Sequence, residues 1–530
     1  RRLHLPDPFM SLPRVRRPAA SALTMLLCLS ALLSAAPRQA RAAADAHAEA
    51  RQDNPGLVLL APGDRGLRSD LAWLVDRRVL DLPLSTWPLP SSLLRAALSR
   101  VETTRLAGVD ADALARVQRA LDRSASPARL TGRLNTAAHP SLDGGDAAKG
   151  SAAARVGAYA GGANWGGQFT VAATADRLWA GDGGPVNLDG SYLALGSRWA
   201  VVSAGVTDRW WGPGQFASPI LSNAARPIAS VIVRRADDVA PATPWLAWVG
   251  PWGYELSAGR LSGYDPAGTR TLGLRFYHRP WRNVELGFSR SILWGGHGRP
   301  RGMGALWRAL RGDSNIDDPA RRGEDPSDEV AGLDLRVSGQ WPDDSTWAAY
   351  LHIVGEDEAG GLPAKRFGTV GLQARTVVGN QRVEAVVEAT DTVTSRLFGL
   401  SSGPSTGPAA IHGTYVDGYY QGGLPLGAPI GGGGDLLSFG FGWIPIDHPA
   451  ALRVTTTVFH GSVNGAGPQP INAAFSEPGS LSGFSFLVEG EALQRRSTWQ
   501  VGLSAQRYGG SSRPTFGLLA GFSVPLFQSR

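Results

Sequence analysis

Cysteine is nearly missing from this 530-residue chain, which has one, Cys28. Cys28 lies in the apolar stretch from Ala22 to Ala36, behind Arg14, Arg16 and Arg17 and ahead of Pro37 and the small-x-small sequence Ala40-Arg41-Ala42. That order reads as a secretory signal over residues 1–44, cleaved near Ala42 or Ala44, with Met10 as a candidate start. Leu27 before the cysteine is not small, which argues against lipid attachment there. A chain processed at this site has no thiol, so a disulfide framework, a cysteine metal site and a cysteine nucleophile are all excluded. Charge is also scarce, at 18% of residues. The net charge is +7, but the first 42 residues hold seven Arg and one Asp, +6 of that total, which leaves +1 for the rest. A nucleic-acid partner is therefore not indicated. Beyond the signal there is no apolar run long enough for a membrane helix. What is abundant is glycine, with 68 residues, and tryptophan, with 17.

The remaining pattern is alternation. In Trp499 to Gln506, Trp499, Val501, Leu503 and Ala505 alternate with Gln500, Gly502, Ser504 and Gln506, so a pleated strand puts the apolar side chains on one face and the polar ones on the other. The same period runs through Leu333, Leu335 and Val337, through Val370, Leu372 and Ala374, and through Leu452, Val454 and Val458. About twenty such segments, rich in Gly and Trp, predict an all-β transmembrane barrel over 129–530.

Ahead of the strands the period becomes helical. Leu67, Leu71, Leu74 and Val75 form one stripe; Ser91 or Ser92 can cap a second helix carrying Leu93, Leu94 and Leu98; Asp110 can start a third with Leu114, Val117 and Leu121. Residues 58–126 are thus expected to form a small N-terminal α-helical bundle on the periplasmic side, either plugging the barrel mouth or acting as a mobile partner-binding domain.

Candidate strands begin near 129, 153, 166, 190, 198, 229, 245, 252, 271, 283, 330, 346, 367, 382, 411, 435, 450, 480, 497 and 515. A bacterial barrel has an even number of strands, short periplasmic turns and long external loops. Leaving out the segments near 229 and 411 satisfies all three conditions and predicts 18 antiparallel strands, with 207–243 and 392–434 as the longest external segments. The polar face then carries Arg275, Glu285, Asp334, Arg336, Arg375, Glu384, Glu388 and Arg453, a lumen of mixed charge. A barrel of this size holds an aqueous channel unless loops fill it.

The two longest segments carry Arg209-Trp210-Trp211-Gly212-Pro213-Gly214, then Leu221-Ser222-Asn223-Ala224-Ala225-Arg226-Pro227, and His412-Gly413-Thr414-Tyr415-Val416-Asp417-Gly418-Tyr419-Tyr420. With Thr86-Trp87-Pro88-Leu89 and Ala331-Gly332-Leu333-Asp334, this set resembles the Wzi-type capsule-assembly family of outer-membrane proteins, over most of the chain from about residue 60. The resemblance implies an 18-stranded barrel with a periplasmic helical bundle, holding capsular or related polysaccharide at the cell surface as a lectin. Ala428 stands where the family pattern has a His after Gly427, and Gly431 to Gly434 suggests a flexible loop.

Sugars stack their C–H faces on aromatic rings while Arg, Asn and Asp bond their hydroxyls, and Arg pairs with uronate carboxylates. Arg209, Trp210, Trp211, Asn223 and Arg226 fit that chemistry, and Tyr415, Asp417, Tyr419 and Tyr420 fit it in the second segment. The alternative is structural: the aromatics anchor loops folded into the lumen and Arg209 pairs with an acidic neighbour. A short helix after Met303 offers Trp307, Arg308 and Arg311 as other sugar contacts. Catalysis finds little support. Asp313, Asp317, Asp318, Glu324, Asp325, Asp328 and Glu329 supply loop carboxylates, but nothing sets two across a cleft as glycoside hydrolysis requires. The nine His have no metal-ligand spacing, and no nucleophile elbow, phosphate loop or dinucleotide fingerprint is present. The expectation is a monomeric, non-enzymatic surface anchor without metal or cofactor. Its partners would be capsular polysaccharide or exopolysaccharide, outer-membrane lipid and an export machinery. A porin-type diffusion channel is the alternative, and a polysaccharide hydrolase a third.

Overall fold

The computed structural model describes residues 56–530 except 138, 141, 146–151, 176–184, 312–326, 360–361, 400–406, 466–471, 493–495, 512 and 528–530, with 357–359 and 362–364 described as backbone only. The signal segment 1–44 and the carboxylates Asp313, Asp317, Asp318, Glu324 and Asp325 lie outside the described residues.

Alternating segments pair with their sequence neighbours until the sheet closes. In order the strands are β1 (Ala128–Asn135), β2 (Ala152–Gly162), β3 (Trp165–Thr174), β4 (Tyr192–Gly196), β5 (Ala200–Val206) and β6 (Ala229–Arg235). They continue through β7 (Trp252–Arg260), β8 (Arg270–Trp281), β9 (Val284–Trp294), β10 (Ser327–Gln340), β11 (Thr346–Ala359) and β12 (Leu362–Val378). The last six are β13 (Gln381–Asp391), β14 (Asp435–Pro445), β15 (Arg453–Val463), β16 (Gly479–Ala492), β17 (Ser497–Tyr508) and β18 (Thr515–Pro525). A two-residue segment, Val186–Asn187, shares the position of β4, since both pair with β3. β18 pairs back onto β1 from Leu519 opposite Asn135 to Pro525 opposite Arg129, so the 18-stranded antiparallel barrel has no free edge. Along β17, Val501 and Leu503 are exposed outward while Ser504 and Gln506 are buried in the lumen, as their polarity dictates.

The strand number matches the expectation, but one strand does not. Ala229–Arg235 is β6, paired with both β5 and β7, whereas residues near 245 form a 3-10 turn, Pro244–Val249. Pro244 opens that turn with no N–H to offer a ladder, and the exposed Trp245 and Trp248 side chains sit at the rim. In β6, Ser230, Ile232 and Arg234 point inward and Val231 outward, an ordinary barrel alternation. The long segment therefore ends at residue 228, and 236–251 becomes a connection on the opposite rim. The segment near 411 does stay out of the sheet.

That opposite rim carries the short turns and a ring of exposed tryptophans: Trp165, Trp199, Trp245, Trp248, Trp281, Trp341 and Trp499. Amphipathic rings collect at membrane–water boundaries in this way.

Three helices close the same rim: α1 (Arg65–Asp76), α2 (Ser91–Leu98) and α3 (Gly108–Ser124). Asp64 caps α1 by accepting from the Leu67 N–H at 2.9 Å. Ser91 does not cap α2: Pro90 stands in that place, and the Ser91 hydroxyl accepts from the Val58 N–H at 2.9 Å. Leu67, Leu71, Leu74, Leu94, Leu114, Val117 and Leu121 meet in one core that continues into the barrel through Tyr159 and Trp210. Acidic side chains of α1 reach luminal arginines. Asp70 is bonded to Arg382 and, at 2.8 Å, to Arg453, and Asp76 is bonded to Arg336 at 2.7 Å and Arg375 at 3.0 Å. Arg119 and Arg123 of α3 both bind Glu491 on β16. Arg336, Arg375 and Arg453, expected in the lumen from sequence, are thus sockets into which the bundle fits.

Candidate functional site

The stretches that stand out in the sequence converge inside the barrel. Thr86 and Trp87 form a two-residue antiparallel ribbon with Trp211 and Trp210, joining the bundle to the loop that follows β5. Thr86 Oγ1 accepts from Arg275 Nε at 2.8 Å, and the same guanidinium holds Asp334 of β10 through Nη1 at 2.6 Å and Nη2 at 3.1 Å. Glu285 accepts from the backbone N–H groups of Leu84 and Ser85 at 2.9 and 3.2 Å. A charged network with every partner in place is what permits such groups to be buried here.

The loop 207–228 is fastened from the other wall by Glu388. This carboxylate accepts from the successive N–H groups of Gln215 (2.6 Å), Phe216 (3.1 Å) and Ala217 (2.7 Å), and from the Tyr350 hydroxyl at 2.7 Å. Against this loop packs 392–434. Trp211, Ile220, Leu221 and Ile228 from the first share one apolar core with Tyr415, Tyr419, Leu426 and Ile430 from the second. The glycine run in the second loop is buried and bonded, not loose. Gly432 N–H donates to the Tyr420 hydroxyl at 3.0 Å and Gly434 N–H to Thr392 Oγ1 at 3.0 Å. A Cβ on Gly432 would stand 2.0 Å from the Ala409 carbonyl oxygen, so glycine is required for the approach. Ala428 packs in the same apolar core.

The aromatic residues singled out for sugar contact are therefore interior. Trp210, Trp211, Tyr415, Tyr419 and Tyr420 are buried, as are Arg209 and Asn223. Trp211 Nε1 donates to Glu255 at 3.1 Å and Arg209 donates to Ser257 at 2.7 Å. Arg68 of α1 lies 4.4 Å from the centre of the Trp210 ring. Burial lowers the Arg209 guanidinium despite the nearby Glu255, and burial pushes the Tyr420 phenol up to about 12. Two of the nine reach solvent. Arg226 forms a two-point pair with Asp189 at 2.9 Å, and half-buried Asp417 accepts from the Asp265 N–H at 2.6 Å beside the exposed Val416.

Sequence reading placed Glu388 in the lumen but not its grip on loop 207–228, and it missed Arg234 of β6, which bonds Glu255 and the Pro88 carbonyl. The signal for Arg234 was its place in the alternation of Ser230, Ile232 and Arg234.

The filling is not complete. A crevice of about 460 Å³ runs beside the filled lumen from Arg123 and Glu491 at the short-turn rim to Asp189 and Arg226 near the long loops. Arg65, Arg133 and Arg155 line it, opposed by Asp64, Asp143 and Glu489.

Residues 131–444 match the family model described as capsule assembly protein Wzi. A Klebsiella pneumoniae chain described as an uncharacterized 55.8 kDa protein in the cps region is 31% identical over 482 residues, 89% of each chain. Among solved structures, the Escherichia coli protein described as Wzi, an outer membrane protein involved in group 1 capsule assembly and a carbohydrate-binding β-barrel, is 29% identical. It superposes with a TM-score of 0.77, covering 89% of this chain and 99% of that one.

Proposed function

The chain belongs to the family of the capsule assembly protein Wzi, and from that premise we propose that it binds capsular polysaccharide or exopolysaccharide and anchors it at the outer membrane, as a monomer and without catalysis. The observation that carries this reading is the packing of most of the lumen by loops. Two loops share one apolar core inside the barrel while three helices lock one mouth, a construction that supports contact at a surface rather than flow through a pore. The bundle and short turns face the periplasm in this reading, where the bundle meets export machinery, and the long-loop rim faces the polymer. Arg226 and Asp417 are the sugar contacts. Arg209, Trp210, Trp211, Asn223, Tyr415, Tyr419 and Tyr420 serve binding by holding that outer surface in shape.

The crevice, lined by charges of both signs, favours a second reading, a narrow porin-type diffusion channel. Retention of the detergent-solubilised protein on immobilised polysaccharide from its own organism, paired with single-channel conductance, separates the two. Saturable retention with a silent bilayer is expected. No retention and a steady open pore would replace the anchor with the channel.

A further inference from the structure

The long-loop side holds an element that the filled lumen does not use. Helix α4 (Met303–Arg311) follows β9, and its place relative to the wall is fixed by the alternation of that strand. Ser291 bonds Tyr419 inside the barrel and Leu293 belongs to the luminal core, so Arg290, Ile292 and Trp294 point outward, toward lipid. The helix lies on these outward residues. Ala309 packs with Ile292 and Trp294, with Leu272 of β8 and Leu306 alongside. Arg290 holds the end of the helix, donating to the carbonyls of Leu310 at 2.9 Å and Ala309 at 2.8 Å while paired with Glu329 of β10. α4 is thus fastened to the outside of the wall, at the long-loop end of the strands.

The face it turns away from the barrel is Met303, Trp307 and Leu310, at spacings of four and three, exposed to 77%, 60% and 45%. Trp307 is the one exposed tryptophan among the described residues that is not at the short-turn rim. Arg308 and Arg311 lie on the same helix and the exposed Arg301 just precedes it, with Arg270 of β8 at 5.0 Å from the centre of the Trp294 ring. Arg301 and Arg308 have no ion-pair partner among the described residues. An apolar ridge bordered by cations matches an acyl chain bordered by phosphate, and fits a free polar polymer poorly because the ridge would then stand in water.

Resting on the reading that the long-loop rim faces outward, we propose that α4 and the strand ends beneath it form a binding site for a phosphorylated, multiply acylated glycolipid of the outer leaflet, with Met303, Trp307 and Leu310 against acyl chains and Arg301 and Arg308 on phosphate. Each cation near an anionic membrane surface is worth about a factor of five in binding, so two should be worth roughly thirtyfold.

The test compares purified full-length protein, Arg301→Gln/Arg308→Gln and Trp307→Ala/Leu310→Ser, titrated with lipid A and with lipid A stripped of phosphate, read by native mass spectrometry. Heat-modifiable electrophoretic mobility checks that each barrel is folded. Expected is stoichiometric lipid A on wild type, a loss of about thirtyfold in the arginine variant, and weak uptake of the phosphate-free lipid. Equal uptake by wild type and both folded variants overturns the site, as does equal uptake of the two lipids. A wild-type dimer that the variants abolish would assign the ridge to a second copy of the chain and overturn it as well. So would retention on polysaccharide that is lost in the variants while lipid A binding is unchanged.

Discussion

Trp87 and Trp210 are register partners in a two-residue antiparallel ribbon, one from the helical bundle and the other from the first loop inside the barrel, and both are fully buried. That ribbon makes the two closures of the barrel a single object. Trp87→Ala would leave a cavity where the bundle core meets the loop, at a cost of about 3–5 kcal/mol. The expected result is a barrel that keeps its heat-modifiable mobility while residues 56–126 become sensitive to protease. Trp245→Ala, at the exposed rim, should leave protease protection unchanged.

Asp70 makes the docking of the bundle acid-sensitive in a defined direction. Its burial alone would raise the carboxyl, but the guanidiniums of Arg453 and then Arg382 outweigh burial and hold it below the usual carboxylate range. A lowered folded value means that the stabilisation is present above the unfolded value, near pH 4, and is lost only as pH falls below that through the folded value. Protease protection of the bundle should be flat from about pH 8 to 5 and should fall below about pH 4. Asp70→Asn should weaken docking by about 3–5 kcal/mol at neutral pH and remove much of the acid step. A protection curve that already falls between pH 7 and 5 would contradict this assignment.

The barrel was legible because its cause is local. The period of two that exposes Val501 and Leu503 and buries Ser504 and Gln506 can be read from neighbouring residues alone. The same period placed Arg275, Asp334, Arg336, Arg375 and Arg453 in the lumen, where the structure buries them. What was not legible depends on distant partners. Ala229–Arg235 and Pro244–Val249 both look strand-like. The choice between them is made by Arg234 meeting Glu255 on the next strand and by the exposure of Trp245 at the rim. The aromatic motif leaves two readings open from sequence for the same reason. Trp211 reads as a sugar platform until Glu255, 44 residues away, is seen to accept its indole N–H, and Thr86 is seen opposite it in the ribbon.

Glu388 should control whether the lumen stays shut. It accepts from three successive backbone N–H groups of loop 207–228, and each buried donor left without a partner costs about 1–3 kcal/mol. Glu388→Ala is expected to convert a silent barrel into one with frequent openings in a planar bilayer. Glu388→Gln keeps an acceptor oxygen and should open less often. If the alanine variant were as silent as wild type, the loop would not need this anchor, and the luminal apolar core alone would account for closure.

Orientation can be tested because a chain cleaved near Ala42 carries no cysteine, so a single introduced thiol is the only one to react. Val231 lies on the outward face of β6 and is half-exposed to the membrane side, whereas Trp245 lies in the connection 236–251 with the short turns. If that rim is periplasmic, Trp245→Cys in intact cells should resist a bulky, membrane-impermeant maleimide and should label fully once the outer membrane is permeabilised. Val231→Cys should resist the polar reagent in both conditions and accept a lipid-soluble one. Position 266, between β7 and β8 on the long-loop side, supplies the opposite control, since Pro266→Cys should label in intact cells. Labelling of Trp245→Cys in intact cells with protection of Pro266→Cys would invert the barrel, placing the bundle outside, and would remove the basis for polymer contact at Arg226 and Asp417.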